Sequence, residues 1–133
     1  MAHPTITKAT ETIHNPNEPR HFMRAKPVPR LVRITRGDVV LAESRNALRV
    51  TEVAGDILDP VFYLPPADVR AALDAVPGKT THCPLKGDAS YLALDGETIA
   101  WRYDRPLDFA DVIAGHIAFY GDEVAITEIG PAS

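Results

Sequence analysis

Two short apolar runs, Tyr91-Leu92-Ala93-Leu94 and Thr98-Ile99-Ala100-Trp101-Arg102-Tyr103, are separated only by Glu97 and the dipeptide Asp95-Gly96. Asp-Gly between strand-like segments is among the strongest short-range hairpin signals, because both residues tolerate the positive φ of a tight turn. In the second arm Ile99, Trp101 and Tyr103 fall on one face, Ala100 and Arg102 on the other. That period of two is the mark of a half-buried strand, and it is the clearest alternation in the chain.

The rest of the sequence repeats the theme. Leu31, Val32 and Ile34 are interleaved with Arg33 and Thr35, Arg36-Gly37-Asp38 breaks the run, and Val39 to Ala42 resumes it. This is a second hairpin, and the Arg-Gly-Asp triplet is its tip rather than an adhesion signal. Leu48 and Val50, with Glu52 in the same row, face opposite Arg49, Thr51 and Val53 in a third strand. After Ala54-Gly55-Asp56, Val61 to Leu64 form a more buried fourth. Pro65-Pro66-Ala67-Asp68 opens a helix expected to reach about Ala75, with Val69, Leu73 and Val76 toward the core and Pro77-Gly78 as its stop. Residues 79–82 are extended. Phe109, Val112, Ile113, His116, Ile117 and Tyr120 follow helical spacing, with Gly121 as a C-terminal cap. Gly115 and the strand formers from His116 to Tyr120 keep a strand open as the alternative, and in either conformation His116 and Tyr120 share a face. Val124 to Thr127 is the closing strand. The expectation is a mainly β (α+β) domain of about seven short, mostly antiparallel strands with one or two small helices.

A chain of 133 residues fits one domain with a core of its own. The segment 1–28, with Pro4, Pro16, Pro19 and Pro27, reads as a Pro-rich, partly ordered N-terminal extension ahead of a single domain over 29–130. Ile6 and Phe22 are its candidate docking residues. Its histidines, His3, His14 and His21, are spaced too widely for a compact local metal site. Net charge is −4 with no dense Lys/Arg patch, which argues against nucleic acid as a partner. A lone cysteine fits a reducing compartment, and no apolar run is long enough to span a membrane. A cytoplasmic protein is therefore expected.

Chemically capable residues crowd into Thr80–Tyr91, which holds His82, the single cysteine Cys83, Lys86, Asp88 and Tyr91. Two uses follow. Cys83 could act as a nucleophile, activated by His82, Lys86 or His116, with His82 and His116 also able to serve as acid and base. A non-covalent pocket could instead draw on Lys86, Asp88, Tyr91, Trp101, His116 and Tyr120, aromatic walls with a few polar contacts. Each member also has a plainer role: Trp101 and Tyr103 as core aromatics, Cys83 as a small buried hydrophobe, Lys86 and Asp88 as a turn pair. No resolving cysteine accompanies Cys83. No metal ligands and no cofactor are expected, since the chain has no Cys-x-x-Cys pair and no phosphate-binding glycine loop, and nothing else supports a metal at Asp108 and Asp111.

His82-Cys83-Pro84-x-Lys86-Gly87-Asp88-Ala89-x-Tyr91, followed by Ala114-Gly115-His116-Ile117-Ala118-Phe119-Tyr120, resembles a bacterial domain-of-unknown-function family that also carries a nucleotidyltransferase-like label. The likeness runs from the first hairpin through Tyr63-Leu64-Pro65 and Asp68-Val69 to the last strand. It implies a β-tent architecture similar to methionine sulfoxide reductase B and the thalidomide-binding domain of cereblon, without the zinc cysteines usual in that fold. The nucleotidyltransferase label finds no supporting residues here. The expected function is binding of a small molecule or modified residue at the His82–Tyr91 motif. An enzyme built on Cys83 or on His82/His116 is the alternative. A structural module pairing through its edge strands, or a homo-oligomer, also stays open.

Overall fold

The computed structural model describes residues 12–130; His3 and Ile6 lie outside them. The strands are β1 (Ile13–Asn15), β2 (Glu18–Pro27), β3 (Leu31–Arg36), β4 (Val39–Ser44), β5 (Leu48–Ala54), β6 (Val61–Tyr63), β7 (Asp74–Cys83), β8 (Gly87–Leu94), β9 (Glu97–Arg102), β10 (Ile117–Phe119) and β11 (Ala125–Ile129). They form three antiparallel sheets, ordered β1-β2-β5-β6, β11-β3-β4 and β10-β9-β8-β7. The fold is mainly β, with 3-10 turns at Pro66–Asp68 and Asp108–Ile113. No helix among the described residues is long and apolar enough to cross a membrane.

Both expected hairpin tips are present. Gly37 joins β3 to β4 with φ +59°, and Asp95 and Gly96 join β8 to β9 with φ of +51° and +83°. The third sheet is central, and a different core lies on each of its faces. Val32, Ile34 and Leu41 of the β11-β3-β4 sheet pack with Leu92, Ile99, Ala100, Ile117 and Phe119 in the first core. Met23, Val50 and Tyr63 of the β1-β2-β5-β6 sheet pack with Leu85, Ala89, Tyr91, Tyr103 and Ala118 in the second. Reciprocal bonds stitch β6 to β10: Leu64 N donates to Ile117 O and Ile117 N to Leu64 O, each at 2.8 Å.

Four expectations are corrected. The segment read as an extension contributes β1 and β2, and β2 pairs with β5 from His21↔Ala54 to Pro27↔Leu48. Pro16, Pro19 and Pro27 sit at or next to strand ends, leaving His21, Met23 and Ala25 as an inward row, with Met23 fully buried. The helix expected through Ala75 stops after one turn. The amides of Arg70 and Ala71, needed to continue it, both donate to Leu41 O, at 2.8 and 3.0 Å. Pro77-Gly78 is then no helix stop but lies where the β7–β8 register slips between Ala75 and Thr80.

The segment 109–120 divides. A 3-10 turn kinked at Ala110 ends at Ile113, Gly115 reverses the chain with φ +71°, and the strand alternative holds for Ile117–Phe119. Finally, Ile99 does not share a face with Trp101. Leu92 pairs with Ala100 and Ala93 with Thr98, so Ile99 is skipped as a bulge. Its side chain joins the first core while Trp101 and Tyr103 border the second.

Candidate functional site

Strand parity brings the site together. Leu48, Val50 and Glu52 alternate along β5 with Arg49 and Thr51, so the row that fills the second core ends in a carboxylate. Tyr63 of β6, Tyr91 of β8 and Trp101 of β9 point toward the same space from the facing sheet edges, and Tyr120 follows β10. Between β7 and β8 the chain turns inward. Pro84 is exposed, but Leu85 is fully buried and Lys86 is 5% exposed. Gly87 makes this turn feasible: its φ is +111°, and a Cβ there would lie 3.2 Å from Leu107 N. The Asn15 side-chain amide donates to Pro84 O at 3.0 Å, and Leu107 N donates to Lys86 O at 2.9 Å.

These elements enclose a cavity of about 220 Å³, lined by Val50, Glu52, Leu58, Asp59, Val61, Tyr63, Lys86, Tyr91, Trp101, Tyr103 and Tyr120. Lys86 Nζ donates to Glu52 Oε1, while the other carboxylate oxygen, Oε2, lies 2.7 Å from His21 Nε2. Burial alone would raise the Glu52 carboxyl, but the bonds to Lys86 and His21 outweigh it and hold the group below the ordinary carboxylate range. The walls are aromatic. Trp101 and Tyr120 rings are 4.7 Å apart between centroids, and Tyr63 meets Trp101 edge-on at 6.4 Å. Trp101 Nε1 donates to the Tyr63 hydroxyl at 3.4 Å, and the Tyr91 hydroxyl bonds Thr81 Oγ1 at 2.6 Å. Burial raises the Tyr63 and Tyr103 phenols, so both stay protonated and able to donate at neutral pH. Burial and then the neighbouring Tyr91 raise Tyr120 as well.

The residues singled out in the sequence do not all come together. Lys86, Tyr91, Trp101 and Tyr120 line the cavity. His82 and Asp88 do not; both are exposed and bond each other at 2.7 Å across the β7–β8 ladder. His116 also stays off the lining, with its Nδ1 against Ala114 O at 3.2 Å. Cys83 ends β7 partly buried, beside His21 and Glu52. Ligand atoms of those three residues lie within 4.8 Å of one another.

A family model described as "Domain of unknown function (DUF427)" matches residues 24–130, spanning most of the fold and every cavity residue. The chain belongs to this family. No curated protein matches it.

Sequence reasoning left His21, Asp59 and Tyr63 out of the site. Tyr63 is the inward residue of a short strand, and its hydroxyl faces the cavity only because β6 abuts β10. Glu52 was placed in the correct row, and a carboxylate two residues beyond Val50 on a core-facing row was the available signal. His21 carried the same signal two residues before Met23, masked by the prolines on either side.

Proposed function

We propose that this domain binds a compact small molecule, or a modified residue, in the cavity between its first and third sheets. The observation that carries the reading is Lys86: a buried ammonium facing an aromatic chamber and held by one carboxylate. Burying an ion pair gains little stability over apolar packing of the same volume, so a role toward a ligand explains it better. At about 220 Å³ the chamber is smaller than the ~300–1,000 Å³ of drug-sized sites. A planar group stacked on Trp101 and Tyr120, offering an acceptor to Lys86, suits its size and lining. Three antiparallel sheets with a chamber opening between two of them support the β-tent reading, in kind with methionine sulfoxide reductase B and the cereblon domain. The lone cysteine supports a cytoplasmic setting.

Screening compact planar ligands by thermal shift tests the reading. A ligand that raises the melting temperature of the wild type should lose that effect in Lys86→Met and show a reduced effect in Tyr120→Phe. If neither variant changes the shift, the cavity is not the binding site.

A second reading, an enzyme with Cys83 as nucleophile, draws support from His21, whose ring nitrogen lies within 4.8 Å of the thiol. Iodoacetamide kinetics decide it. A Cys83 that reacts no faster than free cysteine, together with ligand binding intact in Cys83→Ser, excludes the nucleophile.

A further inference from the structure

The geometry points to a binding site for a divalent transition-metal ion, zinc above others, formed by His21, Glu52 and Cys83 behind the cavity wall. Three different strands, β2, β5 and β7, deliver one donor each, so the grouping is a product of the fold and not of sequence proximity. A histidine nitrogen, a carboxylate oxygen and a sulfur all lie within 4.8 Å of one another. Donors around one four-coordinate zinc, at roughly 2.0–2.3 Å from it, stand at separations of that order. Side chains of His21 and Glu52 are only 15% and 13% exposed, and Cys83 is partly buried, so few competing waters reach the donors.

The donor set selects the ion. A mixed nitrogen, oxygen and sulfur set is borderline-soft and fits zinc or its spectroscopic substitute cobalt(II). Calcium and magnesium require oxygen ligands. Two negative groups, the Glu52 carboxylate and the Cys83 thiolate, would face the ion. Binding releases the thiol proton to solvent as the sulfur–metal bond forms. Lys86 is ion-paired with Glu52, one of the three donors. Its bond to Glu52 Oε1 leaves Oε2, now against His21, as the oxygen that would turn to the ion. In that arrangement Lys86 is a positioning residue that fixes the carboxylate and offsets one of the two negative charges.

Access and a vacant coordination position are both accounted for. His21 also borders an open groove with Glu18, Arg20 and Gly55, an entry route from solvent. Glu52 borders the cavity on its other side. Three protein ligands leave a fourth position for water or for an atom of a bound molecule, as in zinc sites that act on substrates.

Cobalt(II) titration of the chelator-treated full-length protein tests the site without any organic ligand, so its outcome is independent of the small-molecule reading. The expected result is saturation near one equivalent, with visible bands of a four-coordinate ion and a near-ultraviolet sulfur-to-cobalt charge-transfer band. Cys83→Ser should abolish the charge-transfer band, and His21→Ala should weaken binding by about tenfold or more. Lys86→Met should keep the charge-transfer band, since Cys83 and His21 remain, but weaken cobalt binding by about tenfold as Glu52 loses its anchor, and it loses the organic ligand as well. Should the serine variant fail to fold, the wild type still decides, because one equivalent of zinc should protect Cys83 from iodoacetamide. Absence of the charge-transfer band in wild type, its survival in Cys83→Ser, or alkylation unaffected by zinc would each overturn the site.

Discussion

The two cores on either face of the central sheet are built to different rules. The first, around Ile34, Leu41, Leu64 and Phe119, is packed from apolar side chains, with the buried Ser44 hydroxyl bonded to Asp68 beside it. The second shares the same sheet but is framed by phenols, and the Lys86–Glu52 pair lies at its border. Leu92, Ile99, Ala100, Ile117 and Phe119 of the sheet pack one face, whereas the other leaves a chamber between the sheets. Where stability alone shapes a core, aliphatic packing does the work. Where charged and hydroxylated groups are buried at a chamber wall, function is the better account of their presence.

The largest expected effect comes from breaking the charged border. Lys86→Ala leaves Glu52 partnered by His21 alone and should destabilise the domain by about 3–5 kcal/mol, read by urea denaturation. Ile34→Ala, in the apolar core, should cost a comparable or slightly smaller 2–5 kcal/mol or so, but with ligand binding intact at temperatures where the variant is folded. Replacing both charges, Lys86→Met with Glu52→Leu, sharpens the contrast. The double variant should recover most of the lost stability, to within about 1–2 kcal/mol of wild type, while ligand binding stays lost. If the double variant is as unstable as Lys86→Ala, the pair is structural and the comparison between cores collapses.

A smaller effect is expected with pH. Because the Glu52 carboxyl is depressed in the folded protein, its contribution is full above the unfolded glutamate value of about 4.3 and fades as pH falls through the lower folded value. Wild type should therefore lose more stability than Glu52→Gln on acidification below about pH 4.3, measured as the difference in urea midpoints. The smallest stability change should come from Tyr120→Phe, within about 1 kcal/mol of wild type, because its partly buried ring still covers Trp101.

Much of this contrast is legible in the amino-acid sequence. The Asp95-Gly96 and Arg36-Gly37-Asp38 turns encode their own backbone requirements, so the hairpins on either side of the first core follow from local chemistry. Lys86 and Tyr91 are legible together because they flank one inward turn, and Trp101 because the Asp95-Gly96 hairpin sets it opposite Tyr91. What local chemistry conceals is what distant segments do to one another. The helix after Pro66 is ended by a carbonyl of β4, and β7 is an edge strand exposed along most of its length, so it shows no alternation. His21 reaches Glu52 because β2 and β5 pair from segments thirty residues apart in register. His82 is drawn to Asp88 on the exposed face of the β7–β8 ladder, and His116 precedes β10 with its ring turned back to Ala114, so neither joins the cavity.

The reciprocal bonds between Leu64 and Ile117 lie where the first sheet meets the third, next to the residues that bear Tyr63 and Ala118. A molecule wedged between those sheets presses on this seam, while one bound elsewhere leaves it alone. The exchange of two backbone protons with deuterated solvent thus becomes a gauge of chamber occupancy: their slowing marks a ligand that braces the sheets together, and their acceleration one that pries them apart.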